Sequence, residues 1–217
     1  MKEIGLIYLT WREGQGKRRH RVGVLKRSAT NGVLFKYLSE GVKQAQEDGF
    51  SPYTEFPDLE KEYKSGVLEI FGQRIMKQER SDIQDLFDFW EIDPKFKGDK
   101  YYMLAHTQGL NPTDNFEFLA EYNPVKELRF LTDLAGLSQF KLKPGILRPG
   151  DLLTYEKEPD NPYDRFAVKV LKGDTPIGYI KMVHSKVFHK SKRPLILQVK
   201  AVEENSTIKK VFLKVQA

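Results

Sequence analysis

Two stretches of this 217-residue chain carry many basic side chains and no acidic one. Residues 14–39 contain seven Lys and Arg, and residues 175–202 contain six. Tyr179 and Phe188 lie inside the second stretch, and Tyr163 and Phe166 come shortly before it. Single-stranded nucleic acid needs both kinds of side chain, because phosphates attract cations and unstacked bases stack on aromatic rings. The pattern favours a nucleic-acid-binding surface; a solvated rim of lysines around an aromatic core is the alternative.

The basic charge is concentrated in the C-terminal half. The formal net charge is +6, but residues 1–125 hold 18 Lys and Arg against 20 Asp and Glu. Residues 126–217 hold 18 against 10. Such an asymmetry is typical of a half that meets a polyanionic partner, and a lysine-rich solvated surface is the alternative.

The residue types of most catalytic and metal sites are absent or poorly spaced. The chain has no cysteine, which excludes disulfides, thiolate zinc sites, iron–sulfur clusters and a cysteine nucleophile. The segment Gly14–Lys17 has glycines before a lysine but lacks the spacing of a phosphate-binding loop, so it predicts a hairpin turn. His184 and His189 have no carboxylate close by in sequence, and no serine-hydrolase, zinc-protease or kinase motif is present. We therefore expect no enzymatic activity, no metal and no cofactor.

No apolar run approaches the roughly 20 residues of a membrane helix. The first residues also lack the apolar core of a secretory signal. We expect a soluble, cytoplasmic protein with no membrane partner.

The N-terminal half mixes strand and helix patterns. Three β-prone runs come first: Ile4–Trp11, Arg21–Lys26 and Val33–Leu38. Helical spacing follows from Ser39, in the stretch from Gly66 to Gln78, after a predicted N-cap at Ser81, and over Asp99–His106. A strand is predicted over Asn115–Tyr122. These elements predict an α+β fold with a small sheet and packed helices.

The C-terminal half consists mostly of short strands. After Asn123-Pro124 the β-prone runs are Leu128–Leu131, Leu152–Glu156, Phe166–Leu171, Ile177–Ile180, Leu195–Val202 and Lys209–Val215, with a short helix over Met182–Phe188. This spacing is typical of a small curled barrel or sandwich. We predict two domains, residues 1–123 and residues 124–217.

One C-terminal segment resembles a HIRAN domain. The resemblance rests on Pro149-Gly150-Asp151, on Glu158–Asp164 (EPDNPYD), on Ala167-Val168 and on Gly178-Tyr179-Ile180. It implies a modified OB-like β-barrel from about Val125 to the C-terminus. In eukaryotic DNA-remodelling translocases this family binds single-stranded DNA and captures its 3′ end, and the same ligand is implied here.

The resemblance also implies a set of binding residues. Tyr163 is expected to stack on a base, and Asp164 is expected to accept a hydrogen bond from the terminal hydroxyl. Arg129-Phe130 is the nearest candidate for an Arg–Tyr pair on the first strand of the translocase domains. The complete predicted interface consists of Tyr163, Asp164, Asn161, Arg129, Phe130, Tyr179, Lys181, His184, Lys186, Lys190 and Arg193.

The N-terminal half is similar to the small N-terminal subdomain of HipA-type toxin kinases. This resemblance rests on Arg21–Leu25, Leu34–Tyr37, Phe56-Pro57 and the segment Leu68–Ile75 with Phe71 and Arg74. No kinase domain follows. The resemblance implies that this half docks a protein partner, either a HipA-like kinase or a helix-turn-helix repressor.

Together these patterns predict a non-catalytic, DNA-binding regulatory protein of a bacterium or phage. The alternative is an antitoxin-like subunit of a toxin–antitoxin or phage-defence system that acts through protein contacts only.

Overall fold

The computed structural model describes residues 3–14, 16–30, 32–76 and 79–217. The predicted hairpin turn around Gly14–Lys17 therefore falls partly outside the described residues, at Gln15.

The chain forms two compact units. The N-terminal unit comprises Ile4–Phe87 and Ile92–Glu121. The C-terminal unit comprises Tyr122–Ala217, with the short segment Asp88–Glu91 and Glu3. That residues 1–123 and 124–217 are independent domains stays a prediction.

A four-stranded sheet forms the centre of the N-terminal unit. Its strands are β1 (Ile4–Trp11), β2 (His20–Ser28), β3 (Gly32–Tyr37) and β4 (Phe116–Tyr122), in the order β3-β2-β1-β4. Alternating residues such as Ile7, Leu9 and Leu25 are fully buried on one face. A buried aromatic cluster includes Phe35, Phe56, Phe71 and Phe118. The predicted sheet and helices are present.

Four helices occur in this part of the chain: α1 (Ser39–Glu47), α2 (Val67–Phe71), α3 (Ile83–Phe89) and α4 (Lys100–Thr107). The last two residues of α3 belong to the C-terminal unit. Asp99 caps α4, because its Oδ1 accepts hydrogen bonds from the backbone N–H groups of Tyr101 and Tyr102. The helix predicted beyond Gly66 is shorter than expected. After one 3₁₀ turn, Arg74 forms hydrogen bonds with Asp114 and with the Gly109 carbonyl, and Ile75 is extended.

The C-terminal unit contains a six-stranded antiparallel sheet. Its strands are β5 (Arg129–Asp133), β6 (Leu152–Glu158), β7 (Ala167–Lys172), β8 (Thr175–Tyr179), β9 (Ile196–Asn205) and β10 (Thr207–Gln216). The order is β5-β10-β9-β6-β7-β8. Helices α5 (Leu137–Phe140) and α6 (Met182–Lys190) complete the unit. Val183, Val187 and Phe188 of α6 are buried with the apolar residues of the sheet.

The expectation of a β-barrel is corrected by the sheet topology. Strands β5 and β8 do not pair; Ala135, two residues after β5, forms one isolated bridge with Tyr179 of β8 through two backbone hydrogen bonds of 2.8 and 2.9 Å. A continuous ladder does not form because β5 ends at Asp133 and the chain turns into α5 at Gly136. The sheet is curled and is not a closed barrel.

Among the described residues, no helix is both long enough and apolar enough to cross a membrane.

Candidate nucleic-acid interface

The connection between β6 and β7 presents one aromatic ring to solvent. The side chain of Tyr163 is 90% exposed. The Oδ1 of Asn161 accepts hydrogen bonds from the backbone N–H groups of Tyr163 and Asp164, at 3.0 and 3.2 Å. Asp164 repeats the pattern with the N–H of Phe166 at 2.9 Å. These local bonds are typical of Asn and Asp in tight turns, and they fix the backbone that holds the Tyr163 ring.

Glu158 at the end of β6 connects this turn to the sheet. Its carboxylate accepts hydrogen bonds from Asn161 Nδ2 at 3.0 Å and from the Tyr179 hydroxyl at 3.1 Å. Its other oxygen lies 2.8 Å from Lys169 Nζ, and Lys169 is paired with Tyr179 across β7 and β8. The hydrogen bond from Lys169, followed by that from Asn161, holds the pKa of Glu158 below its usual range. Sequence reasoning gave Glu158 no role, although it begins the EPDNPYD segment.

Tyr179 is half-buried and serves as a hydrogen-bond donor within this network. Its ring centroid lies 5.9 Å from that of Phe140 in α5. Burial, and then the hydrogen bond to the Glu158 carboxylate, raises the pKa of Tyr179. The hydroxyl therefore remains protonated at neutral pH and is already bound to Glu158.

Three predicted contact residues are buried, which corrects the expectation that they reach nucleic acid from the surface. Lys181 is 1% exposed and forms an ion pair with Asp133 of β5. His184 has no exposed surface, and its Nδ1 lies 2.8 Å from the Thr132 hydroxyl. Phe130 is also fully buried and stacks on Tyr122 with ring centroids 4.0 Å apart.

Helical periodicity explains which side chains of α6 are buried. Lys181, His184 and Phe188 are three or four residues apart, so they share the face that meets the sheet. Lys186 is half-buried, and Lys190 is exposed at the end of the helix. Composition alone identified the basic stretch. The position of each residue around the helix decides whether its side chain is buried or exposed.

The turn and the C-terminal end of α6 are in contact. His189 Nε2 lies 3.2 Å from the Phe166 carbonyl oxygen, and the two rings pack edge to face at 5.4 Å. The guanidinium of Arg165 lies 4.7 Å from the Phe166 ring centroid. Tyr163, Arg165 and Lys190 therefore belong to one continuous part of the surface.

The other exposed cations of the prediction lie elsewhere on the sheet. Arg129 of β5 is paired with Gln216 of β10, and Gln216 is paired with Ile196 of β9. Exposed Arg193 comes three residues before Ile196, so both arginines lie at this end of the three strands. Lys200 is neutralised, since its Nζ lies 2.8 Å from Glu91 Oε1.

Close to Tyr163 the surface offers hydrogen-bond acceptors. A shallow pocket of about 360 Å³ is lined by Glu158, Pro159, Asp160, Asn161 and Pro162. Among the described residues, the second carboxylate oxygen of Asp164 accepts no hydrogen bond. Hydroxyl or amino groups of a ligand fit this environment, because carboxylate and amide oxygens accept hydrogen bonds. The phosphates of a ligand are better placed at Arg165 and Lys190, outside this group of acceptors.

Comparison with known proteins identifies the C-terminal part of the chain. Residues 129–216 match the family described as the HIRAN domain, and this segment is a HIRAN domain. The crystal structure of the HIRAN domain of human HLTF is similar at 16% identity with a TM-score of 0.32, covering 41% of this chain and 75% of that one. No curated protein sequence matches the chain. These comparisons do not support the HipA-like interpretation of the N-terminal half.

Proposed function

We propose that the HIRAN domain of this chain binds single-stranded DNA, with a free 3′ end at the turn between β6 and β7. The observation that carries the proposal is the exposed Tyr163 ring on a backbone fixed by Asn161. An aromatic ring in this position can stack on a base whatever its sequence.

The surrounding residues suggest separate roles in this proposal. Asp164 accepts a hydrogen bond from the terminal 3′ hydroxyl through its second carboxylate oxygen. Asn161 and Glu158 position the turn. Arg165 and Lys190 attract the phosphates next to the stacked base, and Arg193 and Arg129 attract those further along the strand.

We further propose that the protein acts by binding alone and without catalysis. The N-terminal half then serves as a module that docks a protein partner. In the antitoxin-like alternative this half also docks a protein partner, but the chain does not bind DNA. Co-purification with the product of a neighbouring gene for a HipA-like kinase or a helix-turn-helix repressor would favour docking. A monodisperse monomer in the presence of that product would contradict it.

The proposal can be tested with the full chain and two short single strands of equal sequence. One strand ends in a 3′ hydroxyl and the other in a 3′ phosphate, and fluorescence anisotropy gives the dissociation constants at several salt concentrations. We expect tighter binding of the free hydroxyl. Tyr163→Ala should weaken binding by about 5- to 150-fold, because one stacked base contributes roughly 1–3 kcal/mol.

Two variants serve as controls. Tyr163→Phe retains the aromatic face and should retain most of the affinity. Leu152→Ala removes another exposed apolar side chain, 69% exposed at the opposite end of β6, and should leave the affinity unchanged. Equal affinity of wild type and Tyr163→Ala at fixed salt would refute the assigned site. Equal binding of the two strands would refute recognition of the 3′ end.

A further inference from the structure

The N-terminal sheet has a basic outer face, opposite the face that carries Ile7, Leu25 and Phe35. On this outer face Tyr8, Val24 and Lys36 are directly paired across β1, β2 and β3. Lys26 is paired with Leu34 in the adjacent row. Because paired residues of antiparallel strands share a face, Lys26 and Lys36 are diagonal neighbours, about 7–8 Å apart.

Arg21 extends the same face through an irregularity in the strand pairing. The register shifts between Leu9 and Thr10, so that Arg21 is paired with Thr10 and lies on the side of Tyr8. Its guanidinium carbon lies 5.6 Å from the centroid of the Tyr8 ring. The outer basic face is thus defined by Arg21, Lys26, Lys36 and the Tyr8 ring.

The three cations of this face have no acidic partner among the residues that the structure describes. Each is exposed, and within the part of the chain that the structure describes none of them forms an ion pair. Tyr63 is bridged to Phe35 beyond β3, and its neighbours Glu62 and Lys64 form an ion pair with each other at 3.2 Å. Glu62 and Lys64 therefore neutralise each other and leave the cations of this face unpaired with them.

The centre of the outer basic face is covered. Val24 is only 7% exposed although it lies on the outward side of the sheet. The Tyr8 ring and the aliphatic stem of Lys36 are its neighbours on the two adjacent strands, and such stems cover apolar surface while the ammonium group stays in water. The face thus presents three exposed cations and an aromatic ring on paired strands of one sheet.

We propose that this face is a second nucleic-acid-binding surface, which holds the phosphate backbone of a single strand. Charge complementarity carries the choice of ligand: the segment 14–39 contains no acidic residue, and a phosphate backbone offers closely spaced charges without requiring a shaped pocket. Tyr8 can add stacking on an unpaired base. None of these residues belongs to the site proposed around Tyr163.

The test compares two double variants of the full chain in a Tyr163→Ala background, which removes the proposed stacking site. Lys26→Gln with Lys36→Gln removes two charges from the outer basic face. Lys61→Gln with Lys100→Gln makes the same change in net charge at two exposed lysines of the same unit. Binding to a single strand of about 30 nucleotides is measured by anisotropy over a range of salt concentrations, and urea unfolding checks that both variants are folded.

The first variant should lower the slope of log affinity against log salt by about 1.4, because each phosphate contact on a single strand contributes roughly 0.7. The control should leave the slope unchanged. Equal slopes for the two variants would overturn the proposal. It would also be overturned if polyglutamate displaced the strand as effectively as unlabelled DNA at equal charge concentration, since the face would then select an acidic polypeptide equally well. The affinity of Tyr163→Ala alone tests the site around Tyr163. The comparison of the two double variants tests the outer basic face, so the two proposals can fail separately.

Discussion

The side-chain oxygen of Asn161 lies 3.0 Å from the backbone nitrogen of Tyr163 and accepts its hydrogen bond. The most exposed large ring of the C-terminal unit is therefore held by a residue two positions before it. Exposure and order are combined at this turn, although an exposed loop is usually mobile.

Replacement of Asn161 should release the turn. Asn161→Ala removes the acceptor used by two backbone N–H groups and the donor to Glu158. A hydrogen bond of this kind contributes about 0.5–1.5 kcal/mol, and hydrogen exchange of the Tyr163 and Asp164 amides should become faster. Asn161→Ser retains an acceptor oxygen and should recover part of the protection. Identical exchange in the Ala variant and in wild type would show that other contacts fix the turn.

The ion pair between Lys181 and Asp133 is expected to support the fold of the HIRAN domain. Lys181→Met should lower the free energy of unfolding by about 3–5 kcal/mol, because it leaves a buried carboxylate without its partner. Urea denaturation measures the loss, and adding Asp133→Asn should restore part of the stability.

The same variant distinguishes a structural lysine from a DNA contact. Since Lys181 is 1% exposed, the salt dependence of DNA binding should be unchanged in Lys181→Met at temperatures where it is folded. Lys190→Gln should lower the slope by about 0.7 if it faces a phosphate. A reduced slope in Lys181→Met would contradict the buried assignment.

Acid should loosen the turn through Glu158. Hydrogen bonds from Lys169 and Asn161 lower the pKa of Glu158 in the folded protein, so the unfolded chain binds the proton more readily. The stabilisation is complete above the unfolded pKa of roughly 4.3 and is lost as the pH falls through the lower folded pKa. The amide chemical shift of Tyr163, followed by NMR through this window, should titrate in wild type and not in Glu158→Gln. Persistence of the titration in Glu158→Gln would show that Glu158 is not its source.

Glu91 should stabilise the C-terminal unit by neutralising two lysines. Its carboxylate oxygens lie 2.8 Å from Lys200 Nζ and 3.0 Å from Lys214 Nζ. Burial alone would raise the pKa of Glu91, but the hydrogen bonds from Lys200 and Lys214 lower it overall. Glu91→Gln should therefore reduce the free energy of unfolding by about 1.5–3 kcal/mol. Exposed Glu203, changed to Gln, provides the matched control in urea denaturation, and equal losses for the two variants would disprove the role of Glu91.

Local patterns in the sequence predicted most elements and the turn of the site. The strands of the N-terminal sheet and the helix α4 follow from neighbouring residues, and so does the Asn161 turn. The burial of Lys181 and His184 depends on the phase of α6 against the sheet. Whether the sheet closes depends on how β5 and β8 are placed, and local patterns do not predict this because the two strands are far apart in the sequence. Helix α5 has only four residues, too few for a periodic signal.

The last strand of the open sheet is a poor template for association with another chain. Edge strands expose N–H and C=O groups that can pair with a foreign strand and start aggregation. In β8, Pro176 has no N–H to donate, and the N–H and C=O of Tyr179 are already bound to Ala135. Only the short interval between these two residues remains available. The HIRAN domain is thus protected from edge-to-edge aggregation at this strand, although its sheet does not close.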